Sequence, residues 1–301
     1  MITLLSAPSN LGLRPPQPGA VPGAAKAPEA LREAGLFSRF AAFGATDSGV
    51  VLPGRYVDDA ATRPPGHVRN EVAMVDHARR LAARIGQAFD RDEAPLVIGG
   101  DCSILLGAGI ASAHRGGIGL VHIDGHTDFR HPGNDPDSAS VAGEDLAAAV
   151  GLHWPAIADI DGSGPYFPAA RTAHIGHRDD DEQQQEARAV LGKVAPAAEV
   201  LSRGAQWVGA ECAAVAGPAY WLQLDVDVLD PSVMPAVDSP DPGGIGAAEL
   251  TALLRELAPR AVGASVTVFD PDLDPDGRYV RLLVDVLSEG LHELGTLTPR
   301  T

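Results

Sequence analysis

Continuous apolar runs alternate along this chain with stretches whose apolar positions recur every three to four residues. That is the pattern of strands buried on both faces alternating with amphipathic helices. The runs at 2–7, 94–98, 118–123, 173–175, 199–201, 220–224 and 261–268 read as strands. Between them, 71–89 places Val72, Val75, Ala78, Leu81, Ile85 and Phe89 at helical spacing. Segments 28–34, 104–113, 143–150, 182–192, 205–215, 247–257 and 278–294 also read as helices, the first with Pro28 in its opening turn, where a missing N–H costs nothing. Segments 43–70 and 154–170 are rich in Gly and Pro and read as loops, the first around one short strand. The alternation predicts βαβ units, a parallel sheet and helices on both of its faces. No repeat, coiled coil or dividing linker interrupts it, so residues 1–301 are expected to form one domain.

Three of the apolar runs lead into acidic clusters: GGDCS at 99–103, DGHTD at 124–128 and DVDVLDP at 225–231. Parallel strands deliver their carboxyl ends to one rim, and ligands of open parallel sheets bind there. Asp101, Asp124, Asp128, Asp225 and Asp227 would then share that rim with His126 and Cys102. So many like charges do not gather without a cation. In Asp124-x-His126-x-Asp128 and in Asp225-x-Asp227, alternate residues point the same way if the backbone stays extended. Hard oxygen donors with one imidazole suit Mn²⁺ or a similar ion, and two ions roughly 3.5 Å apart can activate a shared water. A single Asp-x-Asp is more often a turn, and a single His a core residue; three clusters, each at a strand end, favour a metal centre. Asp230-Pro231 reads as fixing the loop after its strand.

Composition narrows the class. With 301 residues and 45% apolar content the chain can bury a large core. No stretch reaches the roughly 18 uninterrupted apolar residues of a membrane span, and the start, Met1 to Ser6, lacks the flank and core of a signal peptide. Two cysteines, Cys102 and Cys212, make no disulfide framework, so a cytoplasmic location is expected. A net charge of −17 opposes nucleic acid and anionic membranes as partners. It would suit a cationic small molecule, although acidic surfaces often serve solubility alone.

The motifs resemble those of the ureohydrolase family: arginase, agmatinase, formiminoglutamase and their relatives. The family shares a Gly-Gly-Asp-His-Ser motif, an Asp-Ala-His-x-Asp motif and an Asp-x-Asp-x-x-Asp-Pro motif running into a Pro/Gly loop. Here they stand as GGDCS at 99–103, DGHTD at 124–128 and DVDVLDPSVMPAVDSPDPGG at 225–244, with PGAVPGAAKAPEALREAGL at 18–36 and IGHRDDDE at 175–182 similar to the opening segment and the substrate-side loop. The resemblance spans nearly the whole chain. It implies a three-layer α/β/α fold with a central, mainly parallel eight-stranded sheet and a homo-oligomer. It also implies a site holding two divalent metal ions, Mn²⁺ in the family, that hydrolyses a guanidine-type C–N bond. By position, Asp124 and Asp225 would bridge both ions, Cys102 and Asp128 would complete the first shell, and His126 and Asp227 the second. Asp128 would relay a proton to the leaving nitrogen, with His126 beside it in the catalytic set.

The departures from the family pattern bear on function. Cys102 stands where the family has a metal-binding His; a thiolate, favoured at a helix N-terminus, can ligate but shifts preference from Mn²⁺ toward Zn²⁺, Fe²⁺ or Co²⁺. Thr267 is read at the position of a Glu that grips the guanidinium, a grip a hydroxyl cannot supply; Asp270, Asp272 or Asp274 are the nearby acids. No His falls at 139–143, where arginases carry a proton shuttle. Arg130 falls where arginases hold the substrate carboxylate, and Asp179 and Asp181 where they hold its α-amino group. Arg178 reads as a loop brace, and His122, His174 and His177 as packing residues. Three functions follow: a metal-dependent hydrolase of a guanidino, amidino or formimino compound other than plain arginine; a catalytically silent homologue that binds or regulates; and an enzyme using Cys102 as nucleophile with His126.

Overall fold

The computed structural model describes residues 1–298. Its centre is a sheet of eight strands: β1 (Ile2–Ala7), β2 (Thr46–Val50), β3 (Ala94–Gly99), β4 (Gly119–Ile123), β5 (Thr172–Ile175), β6 (Lys193–Ala195), β7 (Tyr220–Asp225) and β8 (Ala261–Thr267). They lie in the order β2-β1-β3-β8-β7-β4-β5-β6, and every pairing is parallel. Successive strand residues face opposite ways and feed two cores. Leu4, Leu96, Ile98 and Val121 pack with the helices Ala27–Glu33, Leu36–Ala42, Ala205–Ala216, Ala247–Leu257 and Arg278–Leu291. Leu5, Val97 and Leu120 pack on the other face with Glu71–Phe89, Leu105–His114 and Asp145–Ala149. The three-layer α/β/α architecture follows.

One expectation is corrected, and one strand is added. Segment 199–201 is not a strand but the middle of the helix Ala197–Arg203. Ala197 and Val200, three apart, are buried while Leu201 is exposed, so the short apolar run is one helical stripe. The missing strand is β6, three residues at the sheet edge, too short to show a period.

The four central strands β3, β8, β7 and β4 are neighbours, and all three acidic clusters follow strands of this group. Tight turns at their ends aim the clusters inward. At Gly100 (φ 57°) a Cβ would sit 2.5 Å from Ser9 O, so only glycine fits. Its carbonyl accepts a 2.7 Å hydrogen bond from the backbone N–H of Val268, tying the end of β3 to the end of β8.

Candidate metal centre

Each cluster turns its backbone back on its own carboxylate. Asp124 Oδ1 accepts from the His126 N–H at 2.7 Å, and Asp225 Oδ1 from the Asp227 N–H at 2.8 Å. Asp227 Oδ1 accepts from the Gly125 N–H at 3.0 Å, which joins the clusters after β4 and β7. His126 sets Nδ1 2.9 Å from Asp227 Oδ2 and Nε2 3.0 Å from Asp241 Oδ2. The Cys102 thiol donates to Asp225 Oδ2 at 2.7 Å. Candidate ligand atoms of Asp124, His126 and Asp227 lie within 4.8 Å of one another, as do those of Cys102, Asp124 and Asp225. The six predicted metal-site residues Cys102, Asp124, His126, Asp128, Asp225 and Asp227 therefore converge. Asp101 does not join them: its carboxylate is spent on the backbone N–H of Gly12 and on Ser103.

The electrostatics favour either protons or a cation among these carboxylates. Burial, then the neighbouring Asp128 and Asp227, pushes Asp124 well above the carboxylate range. Burial with Asp145 does the same to Asp128, and burial with Asp227 and Asp124 to Asp225. Burial opposes ionisation of Asp227 too, but His126 outweighs it and holds this carboxylate low. His126 is buried against its own charge, yet Asp227 and Asp124 raise it. Asp124 Oδ2 has no hydrogen-bond partner despite complete burial. A desolvated carboxylate oxygen facing others, with carboxylate and imidazole donors around it, fits divalent ions.

The opening of a helix does not by itself favour the Cys102 thiolate; a bound ion would have to displace the proton. Burial, then Asp225, Asp145 and Asp124, drives the thiol well above its usual value. Both nitrogens of His126 face carboxylates rather than Cys102, which removes the base that a Cys102 nucleophile would need.

A cavity of about 830 Å³ opens above the cluster. His126, Asp128, Asp225 and Asp227 line it; Cys102 and Asp124 are buried outside its lining. Arg130 lines it too, its guanidinium over Gly143, where a Cβ would fall 2.5 Å from Nη2, and it draws Asp128 down electrostatically. No salt bridge among the described residues ties Arg130 to a carboxylate. Asp181 lines the cavity but spends its oxygens on the Thr127 N–H (2.8 Å) and hydroxyl (2.7 Å). Asp179 is exposed and lies outside the lining.

Thr267 is a correction. It is buried and absent from the lining; its hydroxyl donates to Leu224 O at 3.1 Å and accepts from the Cys102 thiol at 3.2 Å. The next residue, Val268, at φ 75°, turns to the cavity instead and presents an apolar wall. The nearby acids are occupied: Asp270 accepts from Gly23 N, Asp272 pairs with Lys26, and Asp274 caps the helix Arg278–Leu291. Arg178 is the expected brace, buried and donating to Asp227 O at 2.8 Å and Asp241 O at 2.8 Å. Asp230 holds Ser232 and Gly243 N, fixing the loop after β7.

Sequence reasoning missed Asp145, Asp238 and the position of His122. Asp238 lines the cavity with its side chain exposed to solvent; the surrounding protein and Asp227 raise it. His122 Nε2 lies 3.4 Å from Asp145 Oδ1 and 3.7 Å from Asp124 Oδ2. His122, His174 and His177 form a fully buried file, with His122 and His174 joined through their Nδ1 atoms at 3.0 Å. Burial holds His122 down at about 3 and His177 at about 4. The one sequence signal for Asp145 was an acid opening an otherwise apolar helical run.

A parallel α/β sheet whose central strands direct carboxylates, an imidazole and a thiol under one cavity makes a candidate metal centre. Residues 3–292 match the model of the arginase family, and the chain belongs to that family. It is 30% identical over 270 residues to the arginase of Bacillus caldovelox, covering 86% of this chain and 89% of the relative. It is 27% identical over 303 residues to a formimidoylglutamase of Aromatoleum aromaticum, covering 93% and 80%. The solved structure of the Bacillus caldovelox arginase superimposes with a TM-score of 0.86 at 27% identity, over 98% of both chains.

Proposed function

We propose that this protein is a metal-dependent hydrolase of a linear C–N bond in a guanidino, amidino or formimino compound that also carries a carboxylate, and that plain arginine is not its substrate. The observation that carries the reading is the convergence of Cys102, Asp124, His126, Asp128, Asp225 and Asp227, with an unpartnered buried oxygen among them, at the floor of a cavity. Two divalent ions held there would lower the pKa of water to supply a nucleophile near neutrality. Asp124 and Asp225 would bridge them, with Cys102 and Asp128 on one side and His126 and Asp227 on the other. Asp128, at the cavity surface with a raised affinity for protons, holds one for the leaving nitrogen. Arg130, without a salt-bridge partner, is placed to take the carboxylate of the substrate. The apolar wall at Val268 offers nothing to grip a guanidinium, which argues against plain arginine. A silent binding homologue would have no use for a retained set of acids whose burial costs stability.

The test is a screen of guanidino, amidino and formimino acids against protein loaded with Mn²⁺, Zn²⁺, Fe²⁺ or Co²⁺, reading urea and ammonia release. Turnover of at least one carboxylate-bearing compound is expected. Efficient turnover of arginine would refute the substrate assignment, and metal uptake without turnover of any compound would favour the binding homologue.

A further inference from the structure

Asp145 opens the helix Asp145–Ala149 and is completely buried, yet neither carboxylate oxygen makes a well-formed hydrogen bond, and the side-chain group it approaches is another carboxylate, Asp128. A buried, unpaired carboxylate is among the most costly arrangements a folded protein can hold. Its position is nonetheless fixed from both sides. Glu144, just before it, turns away to accept from the backbone N–H groups of Ala139 (2.8 Å) and Ser140 (3.0 Å) and to meet His153. Ala147, just after it, donates its N–H to the Asp128 carbonyl at 3.2 Å, docking the helix on the β4 cluster. The side chain therefore faces the cluster, and one oxygen falls within 4.8 Å of both Cys102 Sγ and an Asp128 oxygen.

We propose that Asp145 is a metal ligand, which with Cys102 and Asp128 completes the ion site that lacks the family's imidazole. This rests on the metal-centre reading above and deepens it. Asp124 and Asp225, assigned above to both ions, would add to these three donors, so this ion would be held by oxygen and sulfur alone. A thiolate in place of the imidazole is the softer donor and favours Zn²⁺, Fe²⁺ or Co²⁺ over Mn²⁺. His122 Nε2, 3.4 Å from Asp145 and also without a hydrogen-bond partner, stands behind the new ligand and orients it.

The test uses Co²⁺ as probe on the whole purified protein, comparing wild type with Asp145→Asn, which keeps shape but removes charge. Wild type should take up two equivalents and show a thiolate-to-cobalt charge-transfer band. Asp145→Asn should keep one tight equivalent, lose the band at the same Co²⁺ concentration, and bind the second ion more than about 100-fold weaker, beyond the roughly 10–100-fold typical of an outer-shell partner. Metal-free Asp145→Asn should melt no lower than metal-free wild type at pH 8, because the neutral amide replaces a buried carboxyl whose ionisation the fold opposes. Two equivalents with the same band and affinities within tenfold would overturn the assignment while leaving the metal centre intact, as would a lower melting point of the metal-free variant. A wild type that takes up no Co²⁺ would overturn both.

Discussion

Removing metal should give this protein an inverted pH dependence of stability between pH 7 and 8. Asp124, Asp128, Asp145 and Asp225 are all raised well above 3.8 by burial and by neighbouring carboxylates. In the unfolded chain all four are ionised at neutral pH. The metal-free fold therefore binds more protons than the unfolded chain, and stability falls as pH rises, by about 1.4 kcal/mol per pH unit for each retained proton. One or two retained protons give a loss of about 1.4–2.7 kcal/mol from pH 7 to 8. The buried histidines offset it only in part: His122, His174 and His177 are depressed below 6.5 and neutral when folded, and their residual protonation in the unfolded chain adds back only about 0.4 kcal/mol from pH 7 to 8. Metal should flatten the slope, because it replaces those protons, and add about 4 kcal/mol at a thousandfold excess over Kd. Urea unfolding of chelated and loaded protein at pH 7.0, 7.5 and 8.0 reads both effects. A metal-free stability that is flat or rises across the window would refute the reasoning.

Other perturbations have equally definite outcomes. Arg178→Met removes hydrogen bonds to Asp227 O and Asp241 O; urea unfolding should show a loss of about 3–5 kcal/mol, at roughly 1.5–3 for each bond to a charged group and less than additive. Arg130→Met should raise KM for a carboxylate-bearing substrate by about one to two powers of ten while leaving its amide analogue almost unaffected, as steady-state kinetics would show. Cys102→His should shift ion preference toward Mn²⁺ in a competitive titration against Zn²⁺.

Much of the fold was legible because its signals are local. The helix Glu71–Phe89 is nineteen residues long with both ends readable, and Ala78, Leu81, Ile85 and Phe89 of the expected stripe are buried, whereas Val72 points to solvent. The central strands are continuous apolar runs that end in charge. Strand β6, with three residues, has no period to read, and Val200 in the next helix mimicked it. At the site, the metal-facing side chains were legible because three motifs sit at strand ends, where parallel topology must bring them together. Thr267 was misread because a left-handed turn at Val268 rotates the chain by one residue, and no periodicity reports a single positive φ. Asp145 and His122 were hidden for another reason: each is an ordinary residue of its own element, and only the docking of Asp145–Ala149 against the β4 cluster makes them neighbours.

The most direct measurement is the metal content of purified wild type, Asp124→Ala and Asp225→Ala, with circular dichroism confirming that each is folded. If both carboxylates bridge a dinuclear centre, wild type carries two equivalents of divalent metal and each variant carries almost none, because each loses a donor to both ions at once. Near-stoichiometric metal in either folded variant, or none in wild type, would contradict the account.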